Sequence, residues 1–360
     1  MAGETFDFAI LGSTPMAGLI AGLLGSEHGK RVCLVGDPWS PFHLARRYDL
    51  SVAPATRPET WALLAASSFE TLKLLATLGK GLSERVDPLL VADIPASAGA
   101  LAHMRHMAGA YRYAVERVAD RSIAEAGAAC RVRDAVMLVG GKIEPAIGAW
   151  LDRLDVRRLP AETTGVTLRR DGSIRLVIGA AVVDAAQAVL ADDAAILRHL
   201  DPDERDRVLR LRKATAIFTE PAKALPASLI SYLDRDVVLL QRGKGGILAI
   251  AGGAAADAGG RIGACLGPLA PLKRVGQSSF KTLATSDGAP LIGFAKGLRT
   301  MVLAGLGATG AFLAPALARH LACVATDSEK AYFAAREPSR GNARQLIADY
   351  SATGALEARP

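Results

Sequence analysis

The stretch that most restricts the fold runs from Phe6 to Val35. A largely apolar run, Phe6-Asp7-Phe8-Ala9-Ile10-Leu11, leads into Gly12-Ser13-Thr14-Pro15-Met16-Ala17-Gly18. A charge-free segment continues to Ser26, and a second apolar run follows at Arg31-Val32-Cys33-Leu34-Val35. Short apolar runs of this kind suit strands buried on both faces. Pro15 suits the first turn of a helix, where a missing N–H costs nothing. Ala17, Gly18, Ala21 and Gly22 let that helix lie close to a sheet, and Gly29 stops it. Strand, tight turn, helix and strand in about thirty residues make a βαβ unit, which commits the chain to an α/β fold with parallel strands.

Such a unit places unpaired N–H groups and a positive dipole end at the head of its helix, where a phosphate can sit. Glycines at three places in the turn allow close approach and tight helix packing. Here Gly12 fills the first place, Thr14 stands in the second and Ala17 in the third. Gly12, Ser13, Thr14, Pro15, Met16 and Ala17 are therefore the candidate phosphate cradle. A carboxylate at the end of the second strand would hold a ribose. Gly36 occupies that place and Asp37 follows it, so Asp37 is the candidate. Arg46 and Arg47 lie in the irregular segment up to Pro58, within reach of a phosphate. Taken alone, the segment reads either as a nucleotide cradle or as a plain buried βαβ unit.

Periodicity predicts a helix over 59–78, a strand at 136–139, and a helix opening at Glu144-Pro145. Short strands follow at 157–159, 164–169, 174–178 and 188–190, with a hairpin turn at Arg169-Arg170-Asp171-Gly172. Runs at 214–219, 228–233, 237–241 and 247–251 predict a mostly antiparallel insert. The opening pattern then returns. Thr300 to Ala304 reads as a strand, Gly305-Leu306-Gly307-Ala308-Thr309-Gly310 as a turn, and 311–322 as a helix.

That second turn follows Asp287-Gly288-Ala289-Pro290-Leu291-Ile292-Gly293 at a short interval. Together they resemble the C-terminal flavin motif of the D-amino-acid oxidase superfamily, in which D-G-x-P-x-I-G precedes a strand, a glycine turn and a helix. Gly140-Gly141-Lys142-Ile143-Glu144-Pro145 and Arg170-Asp171-Gly172 are similar to two further family steps, in the same order along the chain. The resemblance implies FAD as cofactor, held by the N-terminal cradle and by Gly305, Leu306, Gly307, Ala308, Thr309 and Gly310. It implies oxidation of a small amine or amino acid, with hydride passing from substrate to flavin. The fold it implies is a Rossmann-like FAD-binding domain from residues 1–80, 135–200 and 286–330. A β-rich, mostly antiparallel substrate domain would come from 81–134 and 201–285, and a C-terminal helix and tail from 331–360.

The chain departs from the family pattern at Thr14 and Gly36. Leu190-Ala191-Asp192-Asp193-Ala194 replaces the family's A-G-x-W, and no glycine–histidine pair marks the turn. The basic residue nearest before the D-G-x-P motif is Lys281, which cannot make the two-pronged grip of an arginine on a carboxylate. Lys281 and Arg242 are the candidates for holding substrate. These departures set a second reading beside the enzyme: an accessory, non-catalytic flavin-fold subunit of a larger oxidoreductase. The motif D-G-A-P-L-I-G argues against the aromatic-hydroxylase type of flavoprotein.

Other features narrow the partners. The 43 basic and 36 acidic residues give +7, but they are scattered, with no basic stripe carrying aromatics, so no nucleic-acid surface is expected. The four cysteines are far apart and form no C-x-x-C, so neither a metal site nor a disulfide framework is predicted. His103 and His106, spaced by three, could suit a metal or an acid–base pair, but with no acidic or cysteine ligand near them a polar helix face or interface is the favoured reading, and the pair Ser278-Ser279 has no local base. The segments Phe8–Ser26 and Thr300–Ala318 are charge-free, yet glycine turns interrupt both, so each reads as strand, turn and helix and not as a membrane span. No signal-peptide pattern opens the chain, so a cytoplasmic location is expected. A homo-oligomer or a partner subunit is compatible with the sequence.

Overall fold

The structure is a computed structural model that describes residues 4–37, 44–119, 127–267, 273–285, 287–295 and 297–340. The opening unit is strand β1 (Glu4–Leu11), helix α1 (Pro15–Ser26) and strand β2 (Val32–Gly36), with β1 and β2 parallel. Helix α1 is buried from Pro15 to Leu24, which explains why it carries no charge. Its small residues meet bulky ones. Gly18 lies against Ile147, and Gly22 against the Trp150 ring.

Helix α2 (Pro58–Leu78) follows, as the periodicity predicts, with Trp61 and Leu64 buried. Phe69 on the same helix is exposed beneath the Lys73 ammonium. Next come β3 (Ser83–Val86), β4 (Leu89–Ala92), α3 (Pro95–Ala110), β5 (Val115–Val118), β6 (Ala128–Val132) and β7 (Ala135–Leu138). Helix α4 (Gly140–Arg153) starts four residues before Glu144, where its opening is forecast, and Pro145 lies inside it.

Strands β8 (Arg157–Pro160), β9 (Gly165–Leu168), β10 (Ile174–Ile178) and β11 (Ala181–Leu190) bring the chain back to β1. The hairpin turn at Arg169–Gly172 forms as predicted, with Gly172 at φ 92. Strand β11 is longer than the forecast Ala188–Leu190. Its first half is antiparallel to β10, while the strand also runs parallel to β1, so one strand serves two partners.

Helices α5 (Asp193–His199) and α6 (Pro202–Val208) lead to β12 (Leu209–Pro221), β13 (Leu229–Tyr232), β14 (Val237–Gln241) and β15 (Gly246–Gly252). Helix α7 (Ala255–Leu266) and the edge strand β16 (Arg274–Thr285) follow. Strand β16 has no forecast, because its sequence is polar; its long pairing with β12 creates it. Strands β17 (Leu291–Phe294) and β18 (Met301–Ala304), a 3-10 helix over Gly307–Leu313, α8 (Ala314–Leu321) and α9 (Asp327–Ala334) complete the chain.

Two large sheets result. The first has the order β17-β18-β11-β1-β2-β8, with β18, β11, β1, β2 and β8 parallel, and β10 and β9 extending from β11. The second has the order β16-β12-β15-β14-β13-β4-β6-β5, and only its β13–β4 junction is parallel. This is the expected α/β architecture, a Rossmann-like sheet with an antiparallel β-rich partner. Helices α1, α4 and α8 pack on one side of the first sheet, and the two glycine turns open at the ends of its parallel strands. No helix among the described residues is long and apolar enough to cross a membrane.

Candidate functional site

The turn after β1 is held tightly. The Gly12 N–H donates to the Val35 carbonyl at 2.9 Å. Gly36 packs onto the Gly12 carbonyl so closely that a Cβ there would collide with backbone. A ribose-binding carboxylate at position 36 is therefore sterically impossible, which accounts for the glycine. Asp37 is exposed, and its N–H donates to Ser13 Oγ at 2.8 Å.

The donors at the head of α1 are largely committed within the chain. Thr14 is the N-cap, and its hydroxyl accepts from the Ala17 N–H at 3.2 Å. Pro15 has no N–H to give. The Ser13 N–H donates to the Asp192 carboxylate, Oδ2, at 2.6 Å. The other oxygen of Asp192 caps α5 by accepting from the Ala195 N–H at 2.8 Å. A negative side chain thus stands where the helix dipole would attract a phosphate. Only Thr14 and Met16 are left to offer amides to a ligand, and the Met16 sulfur packs against Gly310, so the two glycine turns touch.

The surroundings are acidic as well. The Asp193 carboxylate accepts from the Thr282 hydroxyl at 2.5 Å and from the Leu283 N–H at 3.0 Å, which ties α5 to β16. Burial pushes its pKa up, partly offset by those bonds. Burial likewise raises Asp49, with Arg47 opposing. Burial raises Glu144 to about 7, opposed by Arg47 and reinforced by Asp49. Arg47 is the guanidinium whose charge opposes the rise at all three carboxyl groups.

The second turn is equally committed. Gly305 and Gly307 adopt φ 68 and 54, which favour glycine. The Leu50 N–H donates to the Ala308 carbonyl at 2.7 Å. The Ser51 N–H donates to the Val136 carbonyl at 2.8 Å, so the segment around Tyr48–Val52 is clamped between β7 and the turn. Tyr48, Leu50, Leu90, Leu229, Gly305 and Ala308 line a mainly apolar cavity of about 40 Å³. That holds a few waters at most, whereas small-molecule and cofactor pockets run to about 300–1,000 Å³.

The D-G-A-P segment serves structure here. Arg340 grips Asp287 with bonds of 2.7 and 2.8 Å and also donates to the carbonyls of Pro290, Arg336 and Ala289. Burial alone would raise Asp287, but the Arg340 fork outweighs it and holds the carboxyl below its ordinary value.

The structure separates the residues forecast for substrate. Arg242 pairs with Glu84 at 3.1 Å. Lys281 is exposed and stands opposite Lys213 on β12. Alternation puts Lys213 on the same face as Ile217, which packs with Ala258 and Ile262 of α7. Lys281 therefore points to the α7 side of the sheet. Arg46 lies over the Phe280 ring at 5.5 Å on the other face. None of the three lines the cavity at the second turn. His103 is exposed and bonds the Thr56 carbonyl through Nε2 at 3.0 Å, and no metal-binding group of three ligands exists among the described residues. Sequence reasoning did not select Asp192 as a site residue. Its signal was the loss of A-G-x-W at that point, since an acid there replaces a small residue.

No protein-family model and no curated protein matches the chain. Solved structures do. L-proline dehydrogenase from P. horikoshii superposes with a TM-score of 0.70 at 13% identity, over 93% of this chain and 97% of that one. Glycine oxidase from Geobacillus kaustophilus gives 0.65 at 15% identity, over 95% and 97%. Iminodiacetate oxidase from Chelativorans sp. BNC1 gives 0.64 at 16% identity, over 88% and 94%. The chain has the fold of the D-amino-acid oxidase superfamily.

Within this D-amino-acid oxidase fold, the residues present do not fit FAD. A carboxylate occupies the cradle, a proline removes one of its donors, position 36 has no room for an acid, and the cavity at the second turn measures about 40 Å³.

Proposed function

We propose that this chain uses the flavin-oxidase scaffold without turnover of its own, as an accessory subunit of a larger oxidoreductase. One observation carries the reading: the Leu50–Ala308 hydrogen bond closes the segment at Tyr48–Val52 onto the second glycine turn, where the resemblance puts the flavin, and leaves a cavity of about 40 Å³ there. A buried backbone bond of this kind is costly to break without replacement. The scattered placement of Lys281 and Arg242 agrees, because they form no common grip for a substrate carboxylate.

A second reading keeps the chain as an FAD-dependent oxidoreductase of an amine or amino acid. It is supported by the near full-length likeness to amino-acid-processing enzymes. The absorption spectrum of the purified protein separates the two. A colourless protein that stays flavin-free after incubation with FAD, and that oxidises no amine or amino acid, supports the accessory reading. A yellow protein that bleaches with an amine overturns it.

A further inference from the structure

We infer that Asp192 is a built-in anion: its carboxylate holds the phosphate position at the head of α1 and keeps nucleotide diphosphates out. The inference rests on the flavin-free reading above but concerns a different half of the site. That reading stands on the closed slot at the second turn, whereas this one stands on the first.

The geometry distinguishes Asp192 from an ordinary helix cap. Capping α5 uses only Oδ1, bonded to the Ala195 N–H at 2.8 Å. Serine or asparagine would do that as well. Oδ2 instead reaches the Ser13 N–H at 2.6 Å, across 179 positions of sequence. It also lies 3.1 Å from where a Cβ on Gly12 would stand, so it fills the space that the glycine leaves open. In a phosphate cradle both of these features, the amide and the open space, serve the ligand. A competitor tethered in the same chain is never diluted away. A diphosphate entering this space would have to displace the carboxylate and then remain beside it, like charge against like charge.

Asp193 supports the same conclusion from the other side. Its carboxylate is anchored to Thr282 and Leu283 of β16, so the first turn of α5 is pinned between the sheets. The backbone at Asp192 is thereby held beside the Ser13 amide that its carboxylate accepts from.

The test is calorimetric titration with ADP, which probes the first turn alone because it has no ring to place at the second. Wild type is expected to show no binding at about 1 mM ADP. Asp192→Ser keeps an α5 cap and removes the charge, and is expected to bind ADP at least about tenfold more tightly than wild type, while remaining unable to take up FAD. Asp192→Asn, similar in size to the carboxylate, is the second variant should the serine form fail to fold. It is expected to gain less, because its amide still fills the space. A folded Asp192→Ser or Asp192→Asn protein with wild-type indifference to ADP overturns the inference and leaves the accessory reading intact. A wild-type protein that purifies with FAD overturns the inference, and one whose bound flavin an amine bleaches overturns the accessory reading as well.

Discussion

Removing Arg340 tests whether the D-G-A-P segment has become a structural clamp. The side chains of Arg340 and Asp287 are 17% and 13% exposed. In Arg340→Ala the carboxylate loses both side-chain bonds and keeps backbone donors such as the Ala289 N–H at 3.2 Å, while the carbonyls of Pro290, Ala289 and Arg336 each lose a donor, the last still accepting from the Ile292 N–H. Breaking a buried pair by removing one partner costs about 3–5 kcal/mol, and the slight exposure places this case at the low end, about 3 kcal/mol. With an unfolding entropy of about 2.1 cal/mol/K per residue over the whole chain, that is a drop in Tm of about 4 °C. The pH dependence follows from the sign of the shift. Asp287 is held below its unfolded value, so its contribution is full above the ordinary carboxylate pKa and is lost as pH falls through the lower folded value. Calorimetry of both proteins at pH 7 and again in acid reads both effects. The gap should be widest at neutral pH and should narrow in acid. A drop under about 1 °C at neutral pH would show that the clamp carries no strain-bearing load and would refute the reasoning.

Two further perturbations probe other parts of the site. Glu144 is raised to about 7, chiefly by burial, so wild-type stability should fall as pH rises from the unfolded glutamate value through 7; Glu144→Gln should flatten that slope, the part due to Asp49 and Asp193 remaining, and leave the variant about 1–2 kcal/mol more stable at pH 8 in denaturant melts, solvent screening at this half-buried group trimming the gain. Gly22→Val would drive a side chain into the Trp150 ring and should cost about 3 kcal/mol or prevent soluble expression, with Gly22→Ala in between, again read by denaturant melts.

Much of the fold is legible from local pattern. The βαβ unit, the helix at 59–78, the hairpin at Arg169–Gly172 and the second glycine turn each announce themselves within a few residues, because periodicity and turn chemistry are local. Strand β16 does not, since it is a polar edge strand whose conformation comes from pairing with β12. The first half of β11 is missed for the same reason: its pairing with β10 decides it.

The site divides along the same line. The sequence by itself determines that two glycine turns follow two parallel strands, that Thr14 and Pro15 stand where a phosphate cradle has freer donors, and that position 36 lacks an acid. Only the tertiary structure decides what fills those turns. It brings Asp192 onto the Ser13 amide, Leu50 onto the Ala308 carbonyl and Arg340 onto Asp287, in each case across a long stretch of chain. It also turns Lys281 away from the site, because a strand's register fixes which face each side chain takes. A pattern along the chain can mark where a ligand would bind, but whether the space is open depends on groups that folding brings there from elsewhere.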